Sequence, residues 1–205
     1  DEGLQIANWT SMAVADQVWC NSSYQRDSLL RALPPLLSRA PDNSHAHRLK
    51  GVLDTCHVVP VGVELSDIPT RGITHDEGAP LVLWNHRWDH DKNPEAVFRS
   101  LTKLADEGVD FRLAIVGENS RVDPREFTEA CRLLGDRVVQ VGYLPRLAYT
   151  ELLGQADVVV SAARHEFFGI AVVEAIAAGA VPVLPRRLSY PELIAEQYET
   201  VVLYP

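Results

Sequence analysis

Residues 80–205 predict a doubly wound α/β fold, a parallel sheet covered by helices on both faces. Three observations carry this. Short apolar runs lack polar alternation, as strands buried on both faces do. Amphipathic stretches of roughly ten to fifteen residues separate them, the spacing of strand–helix–strand crossovers. The polar and glycine-rich clusters follow the apolar runs directly, and such sheets bind ligands at the carboxyl ends of their strands.

The elements follow in order. Leu81-Val82-Leu83-Trp84 is the first strand. Asn93-Pro94-Glu95 opens a helix with a cap, a proline at the first helical position and an acid in the first turn. Val97, Phe98, Leu101, Leu104 and Ala105 are its buried stripe, and Gly108 ends it. Phe111 to Val116 is a strand. Asp123-Pro124 opens a helix with Phe127, Ala130, Cys131 and Leu134 inward and Gly135 as the stop. Val138–Val141, Val158–Ser161 and Val181–Leu184 are strands, with helices at Leu147–Gln155 and Gly169–Ala178. Pro191 to Glu196 is a short helix, and Val201-Val202-Leu203 a last strand.

The first third is organised differently. A helix is expected over residues 2–15, a strand at Val18-Trp19-Cys20, and a helix from Tyr24 to Leu33 capped by Asn21-Ser22-Ser23 and stopped by Pro34-Pro35. Residues 34–48, rich in Pro, Ser, Asn and His, are expected as a surface loop, with His45 and His47 solvated rather than metal-bound. Val58-Val59-Pro60-Val61 is the next strand. The polar, Pro- and Gly-bearing residues 64–79 suit a linker, which gives units of 1–63 and 80–205.

Composition narrows the function. Hydrophobic residues are 46% and charged residues 23% of the 205, an ordinary globular balance. A net charge of −9 argues against a domain held to nucleic acid by overall charge, though not against a local basic patch. Cys20, Cys56 and Cys131 have no metal-ligand spacing and are taken as reduced thiols of a cytoplasmic protein. No apolar run reaches membrane-spanning length, and no metal site is expected. The opening Asp-Glu-Gly-Leu-Gln looks like the middle of a larger protein.

The chemistry gathers after the strands. Arg87 and Lys92 lie in a loop feeding a helix N-terminus, where two cations beside free backbone N–H groups suit a diphosphate. The alternative is that both pair with Asp89 and Asp91. Gly117, in Gly117-Glu118-Asn119, would permit close backbone approach or be an ordinary tight turn. Tyr143 and Leu144 in Gly142-Tyr143-Leu144-Pro145 could border a nucleobase. After the fourth strand comes His165-Glu166-Phe167-Phe168-Gly169, and Glu174 lies two turns into the next helix. Glu166 can face a ligand, Phe168 and Gly169 can offer N–H groups to phosphate, and Glu174 can accept from a ribose diol. The alternative is that Glu166 is a capping acid and Glu174 the partner of an arginine such as Arg186. Neither dinucleotide nor P-loop glycine patterns occur, nor a G-x-S-x-G elbow, which counts against an oxidoreductase.

The string Glu166 through Glu174 resembles the E-x7-E motif of retaining glycosyltransferases of family 4, which have two Rossmann-like domains, the GT-B fold. Leu83-Trp84-Asn85-His86-Arg87-Trp88-Asp89-His90-Asp91-Lys92-Asn93-Pro94-Glu95, the Gly142–Pro145 loop and Ala163–Gly169 are similar to the tRNA-queuosine alpha-mannosyltransferase branch. The resemblance implies a donor-binding Rossmann-like domain plus a remnant of the acceptor-side domain, GDP-mannose or another nucleotide sugar as donor, and queuosine in tRNA as acceptor. It implies that Arg87 and Lys92 hold the diphosphate, Glu166 contacts the hexose, and Glu174 the ribose. Phe168 and Gly169 would lend N–H groups, Gly117 would sit close to the donor, and Tyr143 and Leu144 would border guanine. No metal or other cofactor is implied. With little of the acceptor side present, the 205 residues are expected to bind donor but not to transfer sugar at a useful rate. Arg186 and Arg187 could touch tRNA or be solvated. The alternative to an enzyme is a non-catalytic nucleotide-sugar-binding or structural α/β module.

Overall fold

The computed structural model describes residues 2–39, 44–70, 78–118 and 125–205. The chain forms two units, Asp1–Gly62 and Val63–Pro205.

In the first unit, helix α1 (Glu2–Val14), strand β1 (Val18–Cys20), helices α2 (Ser23–Arg39) and α3 (Leu49–Thr55) and strand β2 (Cys56–Val58) follow in order. The two strands pair in parallel, Val18 with Cys56 and Cys20 with Val58. Trp9, Ala13, Leu33, Leu37 and Val52 form the core between the helices. The start of α2 is fixed reciprocally: Ser22 Oγ accepts from Gln25 N at 3.1 Å, and Gln25 Oε1 accepts from Asn21 N at 2.6 Å.

Three expectations fail here. Helix α2 does not stop at Pro34-Pro35 but runs through both prolines to Arg39. Leu33 and Leu37, four residues apart on one face, are buried, while both prolines face solvent. An interior proline costs about 3 kcal/mol because a ladder bond is lost and the ring crowds the preceding turn. On a solvent face water satisfies the freed carbonyls, and each buried leucine returns about 1.5–3 kcal/mol. The loop expected over 34–48 therefore begins late, ends in a 3-10 turn at Ala46–Arg48 and leads into α3, which was not foreseen. Residues 40–43 lie outside the described residues. The strand expected at 58–61 lies at Cys56–Val58, because Val59 N still donates to Cys20 O at 2.8 Å but Pro60 has no N–H to continue the ladder.

The second unit is a six-stranded parallel sheet. Its elements are β3 (Leu81–Trp84), α4 (Pro94–Asp106), β4 (Arg112–Val116), α5 (Arg125–Leu134), β5 (Val138–Gly142), α6 (Arg146–Leu153), β6 (Val158–Val160), α7 (Ile170–Ala178), β7 (Val181–Pro185), α8 (Glu199–Val202) and β8 (Leu203–Tyr204). The order across the sheet is β5-β4-β3-β6-β7-β8. The chain builds outward from β3 to β5, crosses through α6, and resumes on the other side of β3. The order reverses between β3 and β6, and it is beyond the carboxyl ends at such a point that these sheets bind their ligands. Alternation along each strand divides the core. Val82, Trp84, Leu113 and Ile115 pack with Phe98 and Phe127, whereas Leu81, Leu83, Ala114 and Val116 pack with Leu153 and Ala175.

Smaller differences are local. Asn93 is left-handed (φ 50°) and its side chain does not cap α4. Its amide donates to Ala162 O at 3.2 Å and its Oδ1 accepts from Arg164 at 3.0 Å, tying the β3 and β6 loops together. The short helix expected at 191–196 is a 3-10 turn at Tyr190–Leu193, wound around the fully buried Tyr190. The last strand is Leu203–Tyr204, since Val201 and Val202 finish a helical turn that buries Val202 and leaves Val201 exposed. Asp123-Pro124, Asn119 and residues 71–77 of the expected linker lie outside the described residues. Of the rest of that segment, Ile68 is buried in the sheet unit's core. Among the described residues no helix is long and apolar enough to cross a membrane.

Candidate functional site

The loops that follow β3, β4, β5 and β6 meet at the strand ends. Gly117 closes the first of these contacts. It has φ 147°, and a Cβ placed on it would lie 1.9 Å from the backbone oxygen of His86. Only glycine lets the β4 loop pass so near the β3 loop. Gly117 N donates to Gly142 O at 3.2 Å and Trp88 N to Glu118 O at 3.0 Å, so backbone hydrogen bonds join the three loops.

The basic pair is divided. Arg87 points outward, its side chain 63% exposed and its guanidinium 4.0 Å from Asp89 Oδ2. Lys92 points inward with only 11% of its side chain exposed. Its ammonium donates to His165 O at 2.9 Å and to Glu166 Oε2 at 3.2 Å, and lies 3.1 Å from Asp91 Oδ2. The pairing with Asp91 and the approach to Glu166 therefore coexist. Glu166 Oε1 accepts from the backbone N–H groups of Phe167 and Phe168 at 3.0 and 3.3 Å. Its carboxylate both fixes the turn and faces a lysine, so the Phe168 N–H expected toward phosphate points at Glu166. Gly169 (φ 98°) is the N-cap of α7.

Glu174 is buried and does not meet Arg186, which pairs with Glu199 at 2.6 Å. Arg146 Nη1 donates to Glu174 Oε1, and the Tyr149 hydroxyl donates to Oε2 at 3.0 Å. Asn85 Nδ2 donates in turn to the Tyr149 oxygen at 3.0 Å and to Ala171 O at 2.8 Å. Burial, with Glu174 close by, pushes the Tyr149 hydroxyl well above the ordinary phenol range. Asn85, Arg146 and Tyr149 were not foreseen as site residues. The available signal was Arg146 and Tyr149 three apart at the start of α6, just after a strand-end loop, which puts them on one helix face.

His86 is buried at the end of β3, and desolvation, with Lys92 adding to it, pushes its pKa down to about 4. It is a neutral imidazole at pH 7. Its Nε2, Asn85 Oδ1, Asp91 Oδ1 and the indole N–H groups of Trp84 and Trp88 are buried without a partner among the described residues. Unspent hydrogen-bonding capacity thus gathers in the loop beside the point where the strand order reverses. Tyr143 is 71% exposed, while Leu144 packs against the core. Among the described residues no group of three or more His, Cys, Asp or Glu side chains is placed to hold a metal ion.

Residues 70–205 match the family model described as glycosyl transferases group 1, and residues 1–63 the one described as tRNA-queuosine alpha-mannosyltransferase N-terminal. The chain belongs to the group 1 glycosyl transferases. Among curated relatives of this glycosyl transferase, the tRNA-queuosine alpha-mannosyltransferase of Drosophila melanogaster is 35% identical over 195 residues, 91% of this chain and 52% of the relative. A GDP-mannose-dependent alpha-(1-6)-phosphatidylinositol dimannoside mannosyltransferase of Mycobacterium tuberculosis is 31% identical over 144 residues, 66% of this chain and 37% of the relative. The chain thus spans about half the length of the first relative and less of the second. A solved sucrose-phosphate synthase from Thermosynechococcus elongatus superposes with a TM-score of 0.74 at 22% identity, over 100% of this chain and 49% of that one, which establishes the fold. The architecture is the expected Rossmann-like sheet of a GT-B enzyme.

Proposed function

We propose that this glycosyl transferase chain carries the donor site of a retaining enzyme that transfers a hexose, mannose, from its GDP derivative to queuosine in tRNA. One observation carries the reading. Two glutamates with seven residues between them are each engaged by a cation, Glu166 by Lys92 and Glu174 by Arg146. Paired in this way, each carboxylate is kept as an oriented acceptor for sugar hydroxyls. The exposed Arg87 is the cation open to a diphosphate, and its charge would offset that developing on the leaving nucleotide. Lys92 adds to that field and holds Glu166 toward the hexose. Glu174 faces the ribose, Gly169 and the first turn of α7 lend N–H groups, Gly117 allows close approach, and Tyr143 and Leu144 border the base. Mannose is supported by the names of both relatives, GDP by that of the second, and queuosine in tRNA by that of the first together with the family match of residues 1–63.

The test is calorimetric titration with GDP-mannose, GDP and UDP-glucose, followed by a transfer assay on queuosine-containing tRNA using the longest natural form of the protein. Preference for the guanosine ligands and mannosylated tRNA support the proposal. Binding without transfer would leave a nucleotide-sugar-binding module, and no binding of any of the three would remove the site.

A further inference from the structure

Glu174 owes its position to a residue on another helix. Arg146 Nη1 reaches its Oε1, while Nε and Nη2 of the same guanidinium bind both oxygens of Asp67 at 2.8 and 2.7 Å. One planar cation therefore joins two carboxylates, one on α7 and one on the segment that leads into the sheet unit. Its Nη2 also lies 3.5 Å from Glu64 O. A guanidinium can do this because its donors form a rigid fork, which an ammonium lacks. The Arg146 guanidinium also lies over the Tyr149 ring, 5.9 Å from its centre. Arg146 and Tyr149 thus approach Glu174 from one helix face, one donor to each oxygen.

The consequence for Glu174 follows from its lone pairs. A carboxylate has about four acceptor sites. Arg146 and Tyr149 use one on each oxygen, which leaves one on each for a further donor. Two free sites on adjacent oxygens suit a vicinal diol. Without the guanidinium, a carboxylate whose side chain is only 11% exposed would be an uncompensated buried anion, and it would take up a proton or swing away.

We propose that Arg146 is a positioning residue for the ribose end of the donor site: it holds Glu174 with two acceptor sites aimed outward and fastens the Asp67 segment to the same point. This rests on the reading of Glu174 as the ribose acceptor. Arg146 need not touch the nucleotide, and its effect is confined to ligands that carry the diol.

The test is titration of the 205-residue chain and its variants with GDP and with 2′,3′-dideoxy-GDP, repeated with the uridine pair. The native chain is expected to prefer the diol-bearing nucleotide by tenfold or more. In R146M that preference collapses to within about twofold, because affinity for GDP falls and affinity for dideoxy-GDP does not. R146K keeps the charge but cannot span both carboxylates, and gives an intermediate ratio. Should R146M lose its cooperative melt, R146K decides by the same ratio. D67N, which leaves the Glu174 contact in place, lowers the ratio by no more than about threefold. An unchanged ratio in both Arg146 variants overturns the inference and leaves Arg146 as an ordinary ion pair. If the native chain does not distinguish the two nucleotides, or binds neither, the ribose reading of Glu174 fails and the inference falls with it.

Discussion

Replacing Gly117 with alanine tests the meeting of the strand-end loops. The added Cβ would lie 1.9 Å from His86 O and 2.7 Å from its carbonyl carbon, about 1.5 Å short of ordinary contact with the oxygen. Backbone is on both sides, so no flexible side chain can yield. The residue would also have to keep φ 147°, which costs of order 1–3 kcal/mol outside glycine. Forcing the loops apart adds a further 1–3 kcal/mol as overpacking. It also stretches the bonds from Trp88 N to Glu118 O and from Gly117 N to Gly142 O, each worth about 1 kcal/mol. The contributions sum to about 2–8 kcal/mol, depending on how far the two bonds yield, or a fall in Tm on the order of 10 °C for a chain of this size. The assay is scanning calorimetry with amide exchange followed over residues 84–118, where protection of Trp88 and Gly117 should drop. Gly78→Ala in the same unit, where no atom of the described residues lies within 4 Å of the new methyl group, is the control and should leave the melt unchanged. If G117A melts within a degree of its parent with the same exchange pattern, the loops are not held by this contact and the argument is wrong.

Other expectations follow from the same geometry. His86 has a folded pKa of about 4 against about 6.5 unfolded, so the unfolded chain binds the extra proton between those values. Its contribution is therefore complete above pH 6.5 and is lost as the pH falls toward 4, by about 3 kcal/mol in all. Urea melts at pH 7, 5.5 and 4.5 should show H86F less acid-sensitive than the parent, and equal slopes would refute the assignment. Lys92→Met leaves Asp91 and Glu166 without their cation and should cost about 3–5 kcal/mol. Adding Glu166→Gln should recover at least 1 kcal/mol, and strict additivity in that cycle would count against the pair. In the first unit, Leu37→Ala should cost about 2–5 kcal/mol, whereas Pro35→Ala on the solvent face should raise stability. A stabilised L37A would sink the account of the long helix.

The sheet was legible because its physics is local and repetitive. Leu81 to Trp84 is buried on both faces, so no polar residue interrupts it, and Pro94 at the head of α4 and Gly179 after α7 mark helix ends by backbone chemistry alone. The first unit was legible only in part. The limit at Pro34-Pro35 is what local propensity demands, and it is overruled by Leu33 and Leu37 meeting Trp9 and Val52, partners that no window along the chain contains. Helix α3 has one buried residue, Val52, too little periodicity to be seen.

The candidate site shows the same division. Glycines and charges after strands pointed to the crevice, and Lys92 does reach Glu166 across 74 positions of sequence. What spacing could not tell was where charges would be spent. Arg87 and Lys92 look alike as a pair five residues apart, yet one is open to solvent and the other is enclosed by Asp91 and Glu166. The difference comes from the 3-10 turn at His90–Lys92, capped by Asp89 and ending in the left-handed Asn93, which rotates Lys92 inward. Glu174 poses the same problem in reverse. Arg186 and Arg146 were equally available to it by composition, and the choice was made by α6, which returns to the sheet at the one place where its first turn stands beside α7. A net charge of −9 then describes the chain but not its crevice. There Lys92 is shared by Asp91 and Glu166 and Arg146 by Asp67 and Glu174, while Arg87 stays open to solvent.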